Sequence, residues 1–324
     1  MKVLVTGGAG YIGSTICTYL KKAGHYPVIL DSLVTGNRDF VRDFPFYKVD
    51  IADKAALYKV KSKHPEIISV IHCAARTLVP ESVSDPALYY RENVSKSTEF
   101  FKNCAELGIE NLIFSSSASV YGTVDNFIAT ESSPTNPDSP YARTKLFMEG
   151  VLHDFCLSYG LRAVSLRYFN PIGTDPNHET GLYATNPSHI LGKLLAVAHK
   201  KEEAFNICGT DYPTRDGTGI RDYIHVWDIA RAHLSALSWV QSQKRERHEI
   251  VNLGTGAGIT VREFVTAFED ALGCKINSKN APPRPGDPAG AYASCEKAAQ
   301  LFNWKAELSV TQAIIDSLIW SGLK

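Results

Sequence analysis

Tyr141 and Lys145 stand four residues apart behind Ser139-Pro140, and Ser115-Ser116-Ser117 lies some two dozen residues upstream. On a helix, a spacing of four puts the phenol and the ammonium on one face. A free phenol titrates near 10 and is a poor base at neutral pH. The charge of Lys145 is therefore expected to favour the phenolate and bring that value down. Ser117 follows the strand-like run Leu112 to Ser115, which would let it hydrogen-bond a substrate oxygen from the end of a strand. The chemistry these residues suit is the removal of a proton from a hydroxyl.

A second constellation opens the chain, where Gly7-Gly8-Ala9-Gly10-Tyr11-Ile12-Gly13 follows the apolar run Val3-Leu4-Val5. Gly7 permits a sharp turn, Gly10 lets backbone approach a phosphate, and Gly13 lets the next helix pack closely on a sheet. The amides at that helix start would then face a pyrophosphate. Asp31 ends the following strand, 18 residues past Gly13. A carboxylate there accepts both hydroxyls of the adenosine ribose and repels a 2′-phosphate, which favours NAD over NADP. Arg38 is the neighbour that would suit the phosphorylated cofactor. A cationic nicotinamide ring would add to the pull of Lys145 on Tyr141. Asp50 and Ile51, after a third strand, are expected near the adenine; a helix N-cap ahead of Lys54 is an equal reading for Asp50.

These residues need elements to hold them. Short apolar runs at Val3 to Thr6, Val28 to Leu30, Ile68 to His72, Leu112 to Ser115, Val164 to Arg167 and Ile250 to Leu253 alternate with helical patterns, notably 88–107 and 141–159. That alternation predicts an α/β fold, a Rossmann-type doubly wound parallel sheet. Ser139 and Pro140 supply the cap and first position of the helix carrying Tyr141. Prolines and glycines break the rhythm at 171–187 and again through Pro282, Pro283, Pro285 and Pro288. The expected division is a nucleotide-binding domain over 1–170, with 225–255 returning to its sheet. A smaller, discontinuous C-terminal lobe takes 171–224 and 256–324.

Composition narrows the classes. Of 324 residues, 34 are Lys or Arg and 34 Asp or Glu, so nothing recommends a nucleic acid or a membrane surface as partner. No run approaches 18 apolar residues, and the chain opens with a strand and glycines, so neither a membrane span nor a signal peptide is expected. Seven cysteines, at 17, 73, 104, 156, 208, 274 and 295, are odd in number, scattered and free of Cys-x-x-Cys pairs. They read as buried apolar residues of a cytoplasmic protein, with no disulfide framework and no metal site.

Longer motifs carry a resemblance over nearly the whole length. V-T-G-G-A-G-Y-I-G at 5–13, F-S-S-S-A-S-V-Y-G at 114–122, S-P-Y-A-R-T-K at 139–145, L-R-Y-F-N-P at 166–171, D-G-T-G-I-R-D-Y-I-H-V at 216–226 and R-P-G-D at 284–287 are the segments concerned. The chain resembles an extended short-chain dehydrogenase/reductase, and specifically the UDP-glucose/UDP-galactose 4-epimerase family. The resemblance implies tightly bound NAD and a cycle without net redox change. Tyr141 takes the proton of the 4-hydroxyl as hydride leaves carbon 4, the 4-keto sugar turns over, and hydride returns to its other face. It also implies cofactor contacts at Tyr11, Ile12, Ala74, Asn93, Ser115 and Tyr168 beside the glycines, Asp31, Tyr141 and Lys145. Asn170, Arg221, Arg284 and Asp287 would hold the UDP portion, two arginines suiting a diphosphate through paired donors. His225 reads as a structural hydrogen bonder. A homodimer is implied too, 88–107 and 141–159 forming an intersubunit four-helix bundle.

The chain departs from its likeness in places. Thr77 stands where some epimerases carry lysine, and Ser188-His189-Ile190 replaces Asn-Asn-Leu, with His189 still able to offer a hydrogen bond to substrate. Ala118 and Ser119 occupy positions where sugar-nucleotide 4,6-dehydratases carry their acid and base, and decarboxylating relatives want glutamate at 119. A cofactor-sensing module without turnover would be free to lose Tyr141 or Lys145. The sugar stays open among glucose/galactose, their N-acetyl amines, uronic acids and pentoses. Ala291 falls where hexose-restricted relatives resemble one another in carrying tyrosine beside carbon 2, so UDP-GlcNAc and UDP-GalNAc are expected substrates as well. Tyr292 is adjacent, and register decides which of the two borders the sugar.

Overall fold

The structure, a computed structural model, describes residues 1–122, 124–183, 187, 189–245, 247–283 and 289–324. Seven strands, β1 (Lys2–Thr6), β2 (Tyr26–Asp31), β3 (Phe46–Lys48), β4 (Ser69–His72), β5 (Asn111–Ser117), β6 (Arg162–Tyr168) and β7 (Arg247–Leu253), form one sheet. All adjacent pairs are parallel, in the order β7-β6-β5-β4-β1-β2-β3. Five helices flank it: α1 (Tyr11–Lys22), α2 (Lys54–Lys63), α3 (Lys96–Glu106), α4 (Pro140–Tyr159) and α5 (Val226–Ser242).

The central stretches of the strands place apolar side chains on both faces because both faces are covered. Val3, Val5, Ile29, Ile71, Ile113 and Val164 share a core with Ile16 and Leu20 of α1 and Ile229 and Leu237 of α5. Their alternates, Leu4, Val28, Leu30, Val70, Leu112 and Phe114, share another with Leu57 of α2, Phe100 and Phe101 of α3 and Met148 and Leu152 of α4. A period of two on the strands thus feeds two helix layers, which is the doubly wound arrangement.

Strand order reverses between β1 and β4, and their carboxyl ends leave the crevice where such folds place ligands. Two local expectations are corrected here. The stretch 88–107 is not one regular helix: a turn at Pro86–Tyr89 leads into a π-helical segment, Tyr90–Ser95, before α3 begins. The extra residue per turn accommodates Asn93, 3% exposed, whose side chain holds another loop. Asp50 is not the cap of α2. Asp53 is, accepting Ala56 N–H at 2.9 Å, while Asp50 accepts Ala52 N–H at 2.9 Å and pairs with Lys96 at 2.6 Å.

The remaining chain builds smaller sheets around a separate core of Leu191, Leu194, Phe205, Tyr223, Phe264, Phe268, Ile314 and neighbours. Strand Ile220–Arg221 pairs with Gly290–Ala293 in parallel and with Ile259–Thr260 antiparallel. Asn170–Ile172 pairs with Tyr223–His225. Buried Asp222 ties this unit together by accepting from Thr255, Gly256 and Ala293. Among the described residues, no helix is long and apolar enough to cross a membrane.

Candidate active site

β1 ends in a turn that only glycine makes comfortably. Gly7 has φ +67°, and a β-carbon there would come within 2.6 Å of Ala74 N on the loop after β4. At Gly13 a β-carbon would run into the carbonyl of Gly7, so the helix start sits directly on the turn. Gly10 caps α1 with no side-chain hydrogen bond, and the first turn has no acidic residue. Its amides keep their positive end for an outside anion. Around the place of a β-carbon on Gly10, Gly7 O lies at 3.3 Å and, among the described residues beyond its chain neighbours, nothing else comes within 4 Å. That is a cradle shaped for a phosphate group.

At the end of β2, Asp31 accepts Ala9 N–H at 2.9 Å and Leu33 N–H at 2.8 Å, one on each oxygen. Each carboxylate oxygen retains capacity for a ribose hydroxyl. Anion-binding cradle amides and a fixed carboxylate are the donor and acceptor set a non-phosphorylated dinucleotide requires, and these residues fit NAD. Ile51 is 8% exposed and belongs to the core; Ile12 packs against the opposite core. The Tyr11 hydroxyl donates to Gly173 O at 2.7 Å.

The proton-handling groups converge from β5 and α4. Ser139 accepts Ala142 N–H at 3.2 Å and Pro140 takes the first turn, which sets Tyr141 and Lys145 one turn apart. Lys145, 4% exposed, donates from Nζ to Ser115 O at 2.7 Å. Its nitrogen lies 5.1 Å from the centre of the Phe114 ring and 5.8 Å from that of Tyr141. Burial lowers the Lys145 pKa to about 8, Cys73 and Glu149 opposing. The phenol of Tyr141 moves the other way from expectation: burial raises it above 10, and the hydrogen bond from Ser117 only partly offsets this. Lys145 is aimed at a backbone carbonyl, and the expected lowering was that of the lysine together with a cationic nicotinamide ring.

Ser117 is itself held. Ser119 donates to its oxygen through the amide at 3.2 Å and the hydroxyl at 2.9 Å. This leaves the Ser117 proton uncommitted, and Ser117 lies near enough to Tyr141 to favour its phenolate. Sequence reading valued Ser119 only for the acid it is not, and nothing in the spacing disclosed its service to Ser117. It also missed the buried pair Arg167–Glu149, joined at 2.9 and 2.6 Å, with Ser116 on the same carboxylate at 2.5 Å. That pair locks the ends of β5 and β6 to α4.

Three residues expected at the cofactor have polar atoms engaged inward. His233 Nδ1 faces the Ile229 carbonyl at 2.8 Å, so it carries the proton and Nε2 accepts the Tyr168 hydroxyl at 2.6 Å. The Tyr168 hydroxyl also lies 2.7 Å from Ser115 Oγ, which in turn lies 3.2 Å from Cys73 Sγ. Asn93 clamps Arg76 through both backbone atoms, at 2.7 and 3.0 Å, and reaches Thr144 at 3.2 Å. These side chains shape the crevice floor. Ala74, touching Gly7, forms part of its wall.

On the substrate side, Asn170 is exposed on its short strand, its amide donating to Asp222 O. Arg221 lies in register with Ala291 and donates to the carbonyls of Ile220 and Ala289 at 2.8 and 3.1 Å. Ala291 packs on the cluster of Val120, Tyr121 and Phe169 behind Ser117. Tyr292 takes the other face of the strand, where a β-carbon on Gly258 would meet its ring at 2.6 Å. His189 is the N-cap of the helix Ile190–Ala198, accepting Gly192 N–H at 3.2 Å, and burial lowers its pKa to about 4. Its Nε2 has no partner among the described residues. His225 is structural, capping α5 and meeting Asp316 at 3.0 Å. Arg284 and Asp287 lie outside the described residues.

The fold and the serine–tyrosine–lysine site beside a dinucleotide cradle define a short-chain dehydrogenase/reductase-type enzyme. Residues 3–254 match the NAD dependent epimerase/dehydratase family, and the chain belongs to it. It is 39% identical to the UDP-glucose 4-epimerase of Halalkalibacterium halodurans across 98% of this chain and 94% of that one. A crystal structure of the UDP-glucose-4-epimerase from Stenotrophomonas maltophila, with bound NAD and formylated UDP-arabinopyranose, superposes with TM-score 0.96 at 38% identity, over 99% and 98% of the two chains. The Brucella ovis enzyme in complex with NAD gives 0.92 at 39%, over 97% and 96%.

Proposed function

We propose that this protein is an NAD-dependent UDP-glucose 4-epimerase, interconverting UDP-glucose and UDP-galactose. The observation that carries the reading is the gathering of Tyr141, Lys145 and Ser117, the last braced by Ser119, beside a crevice that fits NAD. Bound NAD supplies a reversible hydride acceptor for carbon 4. The chain's own part is to manage the proton and hold the nucleotide. Tyr141 takes the 4-hydroxyl proton and gives it back, and Ser117 keeps the same oxygen within reach. Lys145 supplies the positive charge that a phenolate needs nearby. Because burial alone opposes that phenolate, ligand binding must complete the electrostatics.

Uridine diphosphate is assigned to Asn170, Arg221, Arg284 and Asp287, with His189 at the margin. Holding the nucleotide while leaving the sugar untethered allows the hexose to present either face. Nucleotide binding falls to 1–170 with 225–255, and sugar-nucleotide binding to 171–224 and 256–324. The side of the strand taken by Tyr292 supports the further reading that UDP-GlcNAc and UDP-GalNAc are accepted. A steric clash excludes far more strongly than a vacant methyl-sized space, which discriminates by about 1–3 kcal/mol. Exposed Phe147 and Leu157 on α4 support a homodimer, and seven free cysteines suit the cytoplasm.

Separating the epimers formed from each UDP-sugar tests the proposal. Formation of UDP-galactose from UDP-glucose is expected, and none would overturn it. Ala291→Tyr is expected to keep hexose turnover and lose the N-acetylated pair at least tenfold. Unchanged N-acetyl activity would put the gate elsewhere. Light scattering at micromolar concentration is expected to give twice the 35.6 kDa chain mass.

A further inference from the structure

The chain folds back twice over the start of α1. The first return follows β2, where Asn37 N–H donates to Ala9 O at 2.8 Å and the 3-10 turn Arg38–Val41 then carries Phe40. The second comes from the smaller lobe. Gly173 accepts the Tyr11 hydroxyl at 2.7 Å, and Thr180 meets Thr15 at 3.1 Å. The two returns also meet each other, through rings. Phe40 stands edge-on to Tyr183, centroids 6.3 Å apart at 86°, and to Trp320, 5.8 Å apart at 60°. Trp320 is anchored by Nε1–H to Leu182 O at 3.2 Å, and it lies so close to Gly181 that a β-carbon there would fall 2.7 Å from its ring.

We propose that Phe40, Tyr183 and Trp320 form a latch that governs how long NAD stays bound. The helix start holds a phosphate through backbone amides alone, with no covalent tie. The two returns are bonded to Ala9, Tyr11 and Thr15, so they straddle that same turn, and the ring seam is what joins them to each other. Cofactor exchange therefore requires the seam to part. Edge-on ring contacts suit that task, because they hold without demanding one fixed geometry and separate without leaving a buried charge. A cycle that restores its cofactor at every turnover has no need of frequent exchange, and slow opening keeps the enzyme loaded. Phe40 is 8% exposed and Tyr183 64%, so Tyr183 is the outer leaf.

The test measures NAD release, with the cofactor assignment read first from the wild type. Purified protein is freed of loose nucleotide by gel filtration, denatured and assayed for NAD; release on dilution is followed separately. Tyr183→Ala is expected to release NAD at least tenfold faster, to emerge underloaded and to recover turnover when NAD is added. Tyr183→Phe keeps the ring and should retain NAD as the wild type does. Tyr26→Ala, which removes a tyrosine 65% exposed at the opposite end of β2, should do the same. Release from Tyr183→Ala as slow as from wild type would overturn the latch, as would equal losses in Tyr183→Ala and Tyr183→Phe. A wild type carrying no NAD overturns the cofactor assignment, and the latch with it.

Discussion

A phenol placed in the wall of a crevice loses the water that would stabilise its anion, and Tyr141 illustrates the consequence. Its pKa rises through burial even with a serine hydroxyl pointed at it. The spacing of Tyr141 and Lys145 correctly put both on one helix face, yet it could not show that the lysine ammonium turns toward Ser115 O. The legible part was identity and approximate place; the missing part was direction, which depends on neighbours distant in sequence. Tyr141→Phe removes one hydroxyl and no packing. Turnover is expected to fall by about two to four powers of ten, with NAD content and thermal midpoint unchanged. More than half the wild-type rate would show that another group is the base.

At the scale of elements, the β1–α1 turn was readable because only glycine tolerates it, and the Ser139 cap of α4 from Ser-Pro, whereas the cap of α2 depended on chain geometry. Gly13→Ala forces a β-carbon against the Gly7 carbonyl. Overpacking of this kind costs about 1–3 kcal/mol, and the displaced helix start should lose NAD. Normal NAD content in this variant would contradict the role given to the turn. Asp50 was a plausible cap for α2, and the sequence could not show that Lys96, 46 residues away, claims it. The π-helical segment at Tyr90–Ser95 was equally hidden: its cause is the need to seat Asn93 against Arg76 and Thr144. Local propensity carries no record of such partners.

For the whole molecule, burial of polar groups sets the response to acid. His72 lies among Phe100, Phe101 and Phe114 and is held by Thr6 and Ser97. Burial lowers its pKa to about 3, and those of His189, His233 and His248 to about 4. Unfolded histidine binds its proton near 6.5, so below that pH the unfolded chain takes up protons that these native side chains refuse. Stability from them is complete above 6.5 and is lost as pH falls toward 4. Each contributes up to about 1.4 kcal/mol per pH unit. The thermal midpoint should drop steeply between pH 6.5 and 5; a flat profile would mean the four are not buried neutral. By itself the sequence determined the fold class and the glycine turn, and it named the residues proposed to handle the proton. Those follow from periodicity, from glycine's unique backbone range and from fixed short spacings. Only the tertiary structure decided which side chain meets which, which side of its strand Ala291 takes, and which rings meet beside α1. Each of these is a contact between segments far apart in the chain, and its energy exists only once both are in place.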